Sequence, residues 1–324
     1  MVLIKSNEDD FSTTHVVKWL AYWGIPFLRI NDERIIGFKV QNGARTRVEL
    51  ENGKSFELEQ ISAYWYRRGA WKFKSDPSPN KSELQRAFDQ QDMTNKKALI
   101  WFLNETLKAH GRISDQQSAF EANKLDQLLK AEACGLALPA FLVTTKKEDL
   151  LPFLQQHTRI ITKALTNGIF YIDEDVYFPP LTLLVDDQNI AKIPDLFAES
   201  LFQALIPKKY EIRSFFFQDK FYSMAIFSQN DDQTKVDFRN YNWKKPNRNV
   251  PFQLPAWLED KLHKLMKLLG LHSGSFDLIV TPEGEYVFLE VNPVGQFGMV
   301  SIPCNYGLEK ILAEYLSNGK PQQQ

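Results

Sequence analysis

The stretch FDLIVTPEGEYVFLEVNPVGQFG, residues 276–298, decides how the rest of the chain is read. Pro282-Glu283-Gly284-Glu285 is a turn signal between two apolar strands. Taken as a four-residue loop, it pairs the strands so that Thr281 faces Tyr286, Ile279 faces Phe288 and Asp277 lands opposite Glu290. Side chains directly opposed in a ladder lie about 5 Å apart, and like charges there repel. Asn292 falls on the same face as Glu290, because strand side chains alternate. Phe276, Leu278, Leu289 and Val291 make the surroundings apolar. Two carboxylates brought together in this way share a proton or hold a hard divalent cation. Mg²⁺ suits the second case, with one or two carboxylates, an amide oxygen and nucleotide phosphates as its ligands. The plainer alternative is two solvated carboxylates on an exposed strand, and Asn292, Pro293 and the glycine-containing continuation favour the metal.

Upstream, the chain opens as a βαβ unit. MVLI reads as a strand, Thr13–Trp23 as a helix stopped by Gly24 and Pro26, and PFLRI as a second strand. Asn42-Gly43 and Asn52-Gly53 read as hairpin turns, ISAYWYRRG as a strand, and residues 77–80 as a loop. A long helix follows over about 82–110, with apolar Leu84, Phe88, Leu99, Phe102, Leu103 and Leu107. A second unit starts near Ile113, with a helix over 115–134 that ends at Gly135. The strands LPAFLVTT, RIITKAL and IFYID come next, with Asn167-Gly168 between the last two. A third section has YEIRSFFF and FYSMAIFS as strands, a polar stretch over 229–249, a helix over 255–269, the hairpin, and a helix over 308–316. The tail, from residue 319, reads as frayed. The pattern is α+β with an α/β opening.

Composition narrows the function classes. The chain has 324 residues, with Lys+Arg 39 against Asp+Glu 40 and a formal net charge of −1. That balance gives no global attraction to polyanions, so nucleic acid is not an expected partner. Apolar residues make up 44%, enough for sizeable cores. No run reaches the roughly 18 apolar residues of a spanning helix, so a membrane partner is not expected and the expected location is cytoplasmic. Cys134 and Cys304 alone form neither a disulfide framework nor a zinc cluster. Gly53-Lys54-Ser55 resembles the end of a phosphate loop, but Val48 stands where that motif needs glycine. The five histidines show no metal-ligand spacing. Arg67-Arg68, beside Trp65 and Trp71, could hold a carboxylate or phosphate, or could be a solvated strand end.

The spacing D-x(12)-E-x-N-P of the hairpin resembles the magnesium motif of the ATP-grasp ligases, such as glutathione synthetase and D-alanine–D-alanine ligase. FLEVNPVGQFG, with HVVKWL and YWYRRG near the start, is most similar to the graspetide (microviridin-type) synthetases that macrocyclise ribosomal peptides, especially the maturases of grasp-with-spasm systems. The resemblance implies an ATP-grasp fold with an N-terminal α/β (pre-ATP-grasp) domain over 1–112, a central subdomain over 113–190 and a C-terminal subdomain with the magnesium site over 191–318. It implies ATP and Mg²⁺ as cofactors, with Asp277, Glu290 and Asn292 as metal ligands. NKLDQLLK maps Lys124 onto a phosphate-contacting lysine, and TKAL maps Lys163 onto a second. FQALIPKKYEIR resembles the adenine hinge, with Gln203, Ala204, Leu205 and Ile206 against the purine, then Glu211 and Arg213 near the transferred phosphoryl group. VDFRNY supplies Arg239 as a second phosphate-side arginine. Ala204 and Lys208 replace acidic hinge residues common in the superfamily, Glu211 replaces an aspartate, and the loop after Lys163 holds only Gly168.

The implied activity is ADP-forming. Asp or Glu side chains of a precursor peptide, leader plus core, are activated as acyl phosphates and joined to Ser/Thr as esters or to Lys as amides. A radical SPASM-type maturase would accompany it in the pathway, and a homodimer is compatible with it. The acidic and aromatic stretch 171–187 is a candidate for leader docking. Two other readings stand beside this one: a ligase acting on free amino acids or adding residues to a protein, and a non-catalytic nucleotide-binding module.

Overall fold

The computed structural model describes residues 1–41, 45–74, 82–110, 123–165, 171–173, 176–178 and 182–317. The chain forms two compact units. The first comprises residues 1–120, 296–301 and 307 onward; the second comprises 121–295 and 302–306.

The first unit begins with β1 (Val2–Lys5), α1 (Phe11–Tyr22) and β2 (Phe27–Ile30). β3 (Ile35–Gln41), β4 (Arg45–Leu50), β5 (Ser55–Glu57), β6 (Ala63–Tyr66) and α2 (Glu83–Lys108) follow. β1 is the centre of a parallel sheet ordered β2-β1-β6 and is buried along its whole length. This burial is why VLI precedes no polar alternation. Asp10 caps α1 by accepting from the Thr13 backbone N–H. β3, β4 and β5 form an antiparallel meander, and Asn52-Gly53 makes the β4–β5 turn with Gly53 at φ +80°. Gly53-Lys54-Ser55 is therefore a hairpin and not a phosphate loop. Asn42-Gly43 and the 77–80 loop lie outside the described residues. The 26-residue α2 buries only Leu103 and Leu107, while Leu84, Phe88, Met93 and Trp101 are exposed.

The second unit holds α3 (Lys124–Ala133), β7 (Phe141–Lys146), α4 (Lys147–His157) and β8 (Ile160–Lys163). Next come β9 (Tyr171–Asp173), β10 (Val176–Phe178), β11 (Leu183–Val185), β12 (Leu196–Ala204), β13 (Tyr210–Phe217) and β14 (Lys220–Phe227). It ends with β15 (Arg248–Phe252), α5 (Ala256–Leu269), β16 (Ser273–Val280) and β17 (Tyr286–Asn292). Helix α3 starts at the Asn123 cap, and the earlier part of the expected 115–134 helix lies outside the described residues. β7, β8, β11 and β12 form a four-stranded antiparallel sheet ordered β11-β8-β12-β7. β12 belongs to this sheet although it follows residue 190. Leu150 and Leu154 of α4 pack with Ile160, Val185 and Phe202.

The second sheet is ordered β15-β14-β13-β16-β17. Leu258, Leu262, Leu265 and Met266 of α5 bury Ile212, Phe216, Phe276, Leu278 and Phe288. Ile212 and Phe216, and Phe276 and Leu278, are even-numbered positions of β13 and β16, so strand alternation turns Glu211, Arg213, Asp277 and Ile279 to the other face. The chain then runs through α6 (Gly298–Cys304) and closes the first unit with α7 (Leu308–Ser317), which packs on α1.

Candidate active site

Two register pairs build the site. Arg213 on β13 is paired with Asp277 on β16, and Asp277 is paired with Glu290 on β17. Three charged side chains therefore stand in a row across adjacent strands, on the face away from α5. Arg213 Nη1 donates to Asp277 Oδ2 at 2.5 Å.

The turn that leads to this row differs from the expected one. Val280 pairs with Tyr286 and Ile279 with Val287, one residue out of step with the four-residue reading. Thr281 N–H donates to the Glu285 carbonyl and Gly284 N–H to the Thr281 carbonyl, which leaves a three-residue loop with Gly284 at φ +91°. A bulge then takes up Leu289, between the Leu278–Phe288 and Asp277–Glu290 pairs, and restores the expected opposition of the carboxylates. Both Leu289 and Glu290 line the cavity beside the row.

β17 is the edge of its sheet, and its outer N–H groups need partners. Phe288 N–H donates to the Ala137 carbonyl, and Val291 N–H donates to Oε1 of the buried Gln127 on α3. Gln127 thus holds the strand at the residue between Glu290 and Asn292. Sequence reasoning missed it, since a single glutamine in a helix gives no signal.

The cavity beside the row opens to solvent. Ile161, Lys163 and Gln203 line it from the first sheet, with the Ala204–Ile206 segment, and Glu211, Asp277, Ile279 and Glu290 line it from the second. Both amide atoms of the fully buried Gln203 lack hydrogen-bond partners, as do Asp277 Oδ1 and Glu290 Oε2. Unsatisfied buried groups of this kind mark where a polar ligand is to be met. Among the described residues no three or more His, Cys, Asp or Glu side chains are grouped so as to hold a metal ion, so the carboxylates available to a cation here would be the two of Asp277 and Glu290. Mg²⁺ fits that donor set, because it completes its shell with phosphates and water.

The lysines converge on the same corner. Lys124 Nζ is 3.4 Å and Lys163 Nζ 3.8 Å from Glu290 Oε2, and Lys124 also donates to the Ala164 carbonyl at 2.9 Å. Burial pushes the Glu290 carboxyl up, but Lys163 and Lys124 more than offset it and hold Glu290 at about 2. Burial raises Asp277 in spite of Arg213, with the neighbouring Glu290 adding to the rise. Burial lowers Lys163 against the pull of Glu290.

Arg239 lies on the loop after β14 and lines the cavity. Its guanidinium is engaged by Asp237, with Nε to Oδ1 at 2.9 Å and Nη2 to Oδ2 at 2.6 Å. Burial works against the Asp237 charge, yet Arg239 keeps that carboxyl below the usual range. Asp237 was not singled out in the sequence, although its place two residues before Arg239 is a local signal. Glu211 has both oxygens engaged, by Lys208 Nζ and by Ser228 Oγ, each at 2.5 Å. Lys208 also donates to the Val236 carbonyl at 3.1 Å. Asn292 stands outside the lining residues and accepts from Val294 N–H at 3.1 Å. Gly295 is a close approach: a Cβ there would fall 2.5 Å from Ser275 and 3.0 Å from Arg213 Nη2.

Arg67 is engaged within the first unit. Arg67 Nε lies 3.2 Å from Asp10 Oδ2 in the first unit, and its guanidinium stacks over Trp65 and Phe297. Burial opposes the Asp10 charge, but Arg67 chiefly holds Asp10 at about 2. Gln296 Nε2 donates to the same carboxylate at 3.2 Å. The side chains of the leader-docking candidate up to residue 181 lie outside the described residues.

No protein-family model and no curated protein matches the chain by sequence. Solved structures do. The macrocyclase MdnC bound with precursor peptide MdnA from Microcystis aeruginosa MRC is 28% identical, with 99% of this chain and 100% of that one covered at a TM-score of 0.77. A Chryseobacterium gregarium RiPP-associated ATP-grasp ligase, in complex with ADP and a leader and core peptide, is 24% identical over 98% and 95% of the two chains, at 0.78. The ATP-grasp ligase PsnB, complexed with a phosphomimetic variant of minimal precursor, Mg and ADP, is 15% identical over 98% of each chain, at 0.67.

Proposed function

We infer that this chain, an ATP-grasp ligase of the graspetide type, activates Asp or Glu side chains of a ribosomal precursor peptide with ATP and closes ω-ester or ω-amide links to Ser/Thr or Lys. The observation that carries the reading is the row Arg213–Asp277–Glu290 beside a cavity where Lys163 and Gln203 converge. The likeness to MdnC over the whole chain supports the peptide as the substrate class.

The chemistry follows from the charges. A carboxylate resists nucleophiles because it is anionic and oxide leaves poorly. Attack of the carboxylate oxygen on the γ-phosphorus of ATP gives an acyl phosphate and ADP. A hydroxyl or amine then attacks the acyl carbon, phosphate leaves, and the peptide has lost one water per bond. Mg²⁺, when bound, would supply positive charge to neutralise the phosphates. In this reading Asp277 and Glu290 would hold it, with Asn292 as a third oxygen ligand. Lys124 and Lys163 would pair with the phosphates in place of Glu290. Arg213 and Arg239 face the transferring group and orient the substrate carboxylate. Gln203, Ala204, Leu205 and Ile206 meet the purine. Glu211 acts through Lys208, since both its oxygens are already engaged.

The domains at 1–112, 113–190 and 191–318 remain part of the proposal, with β12 carrying the central sheet on to Ala204. No helix among the described residues is long and apolar enough to cross a membrane, and we propose a cytoplasmic enzyme. A companion radical SPASM-type maturase and a homodimer belong to the same proposal. The exposed Leu84, Phe88 and Trp101 of α2 support the homodimer, and light scattering checks it.

The test is incubation with Mg²⁺, ATP and the short peptide encoded beside its gene, followed by mass spectrometry. Losses of about 18 Da per bond with stoichiometric ADP are expected, and Glu290→Gln should abolish them. ADP release without peptide modification would sink the reading in favour of a ligase for another acceptor. Nucleotide binding without ADP release would favour a binding module.

A further inference from the structure

The loop 239–248, RNYNWKKPNR, leaves the cavity at Arg239 and carries four basic residues and no acidic one. Tyr241 and Trp243 are 45% and 88% exposed, with ring centroids 5.7 Å apart and planes tilted by 37°. An aromatic pair this exposed is unusual unless something lies against it. The loop is held in shape from behind. Asn242 Nδ2 donates to Asp231 Oδ2, its Oδ1 accepts from the backbone of Lys244 and Lys245, and Gln233 donates to the Tyr241 carbonyl. The carboxylates nearby are already engaged: Asp231 by Asn242, Asp232 by Lys235 and Asp237 by Arg239. Lys244 is exposed and has no ion-pair partner among the described residues, and the Arg248 guanidinium lies over the Phe227 ring.

We propose that this loop is the docking surface for the acidic core of the substrate peptide, with Tyr241 and Trp243 as the platform for its backbone and apolar atoms, and Lys244 pairing with the carboxylates awaiting reaction. The proposal rests on the peptide-ligase reading. A substrate that supplies several Asp or Glu side chains is anionic, and the surface next to the transfer site is cationic and aromatic. Rigid aromatic side chains give contact area at low entropic cost, and the basic residues select the sign of the charge.

The probe is a fluorescein-labelled peptide of alternating Thr and Glu, titrated by anisotropy in Mg²⁺ and a non-hydrolysable ATP analogue. Trp243→Ala and Lys244→Glu should each weaken it about tenfold, the effect of losing one interface anchor, with nucleotide affinity by calorimetry unchanged. A Thr-Lys peptide should not compete. Unchanged affinity in both variants overturns the proposal, as does equal binding of the Thr-Lys peptide or preferential binding of an oligo-dT strand. Failure of the enzyme reading shows elsewhere, as absence of mass loss on the encoded peptide by the unmodified protein.

Discussion

Replacing Glu290 by Gln removes the charge on which Lys124 and Lys163 converge while keeping the shape of the side chain. The carboxyl falls from an ordinary glutamate value of 4.5 to about 2 in the folded chain. At 1.36 kcal/mol per tenfold change, that depression is worth about 3 kcal/mol of native stability at neutral pH. A single pair at the 3.8 Å separation of Lys163 and Glu290 gives about 4 kcal/mol by Coulomb's law at an effective dielectric of 20, so the magnitude is reasonable for a largely buried site. Because the folded value is depressed, the contribution is complete above about 4.5 and disappears as the pH falls toward about 2. A domain of 150–250 residues loses about 2–4 °C in Tm per kcal/mol, so Glu290→Gln should melt about 6–12 °C lower at pH 7.5 without nucleotide. The gap should narrow in scans taken progressively below pH 4.5. Adding Lys163→Met to Glu290→Gln should then cost much less than adding it to the unsubstituted chain. Equal melting temperatures at pH 7.5, or additive losses in the double variant, would refute the lysine–carboxylate coupling. Full peptide turnover by Glu290→Gln would refute the metal assignment as well.

Gly295→Ala should cost about 1–3 kcal/mol by overpacking, since its Cβ would fall 2.5 Å from Ser275. It would also press on Arg213, so kcat for peptide modification should fall more than nucleotide affinity, read by mass spectrometry and calorimetry. Gly284→Ala meets no atom within 4 Å but must hold φ +91°, so urea denaturation should show a loss of about 1–2 kcal/mol with no change in kcat. Asp10→Asn in the first unit should cost at least about 2 kcal/mol at pH 7, because its carboxyl falls from 3.8 to about 2. That difference should shrink as the pH drops below 3.8, and a constant difference across pH would exclude the Asp10–Arg67 pair as its origin.

Much of the site was legible because strand alternation is so regular. Asp277 and Glu290 were placed opposite each other by counting alone, even though the turn was miscounted by one residue. The error came from reading Glu285 as part of the loop, when its carbonyl already closes the ladder with Thr281. The pairing of Lys124 and Lys163 with Glu290 could not be counted out, because the three residues come from α3, β8 and β17. The polar stretch over 229–249 hides the start of β15, and the strand tolerates Pro251 because it is an edge. No part of β12 is read as a strand from the sequence, where Gln203–Ile206 appears only as a hinge; its register breaks between Leu196 and Ser200 and its face pattern breaks with it. In α2 the spacing gave the helix correctly but said nothing about what covers it, and Leu84 and Phe88 are exposed.

The extra residue at Leu289 works as a clutch between the two ends of the hairpin. Strand pairing on the turn side runs in one step and pairing on the carboxylate side in another, so a change of loop length at Pro282–Gly284 need not reach Asp277 and Glu290. A lineage could lengthen, shorten or repurpose that tip while the chemistry beneath it stays in gear.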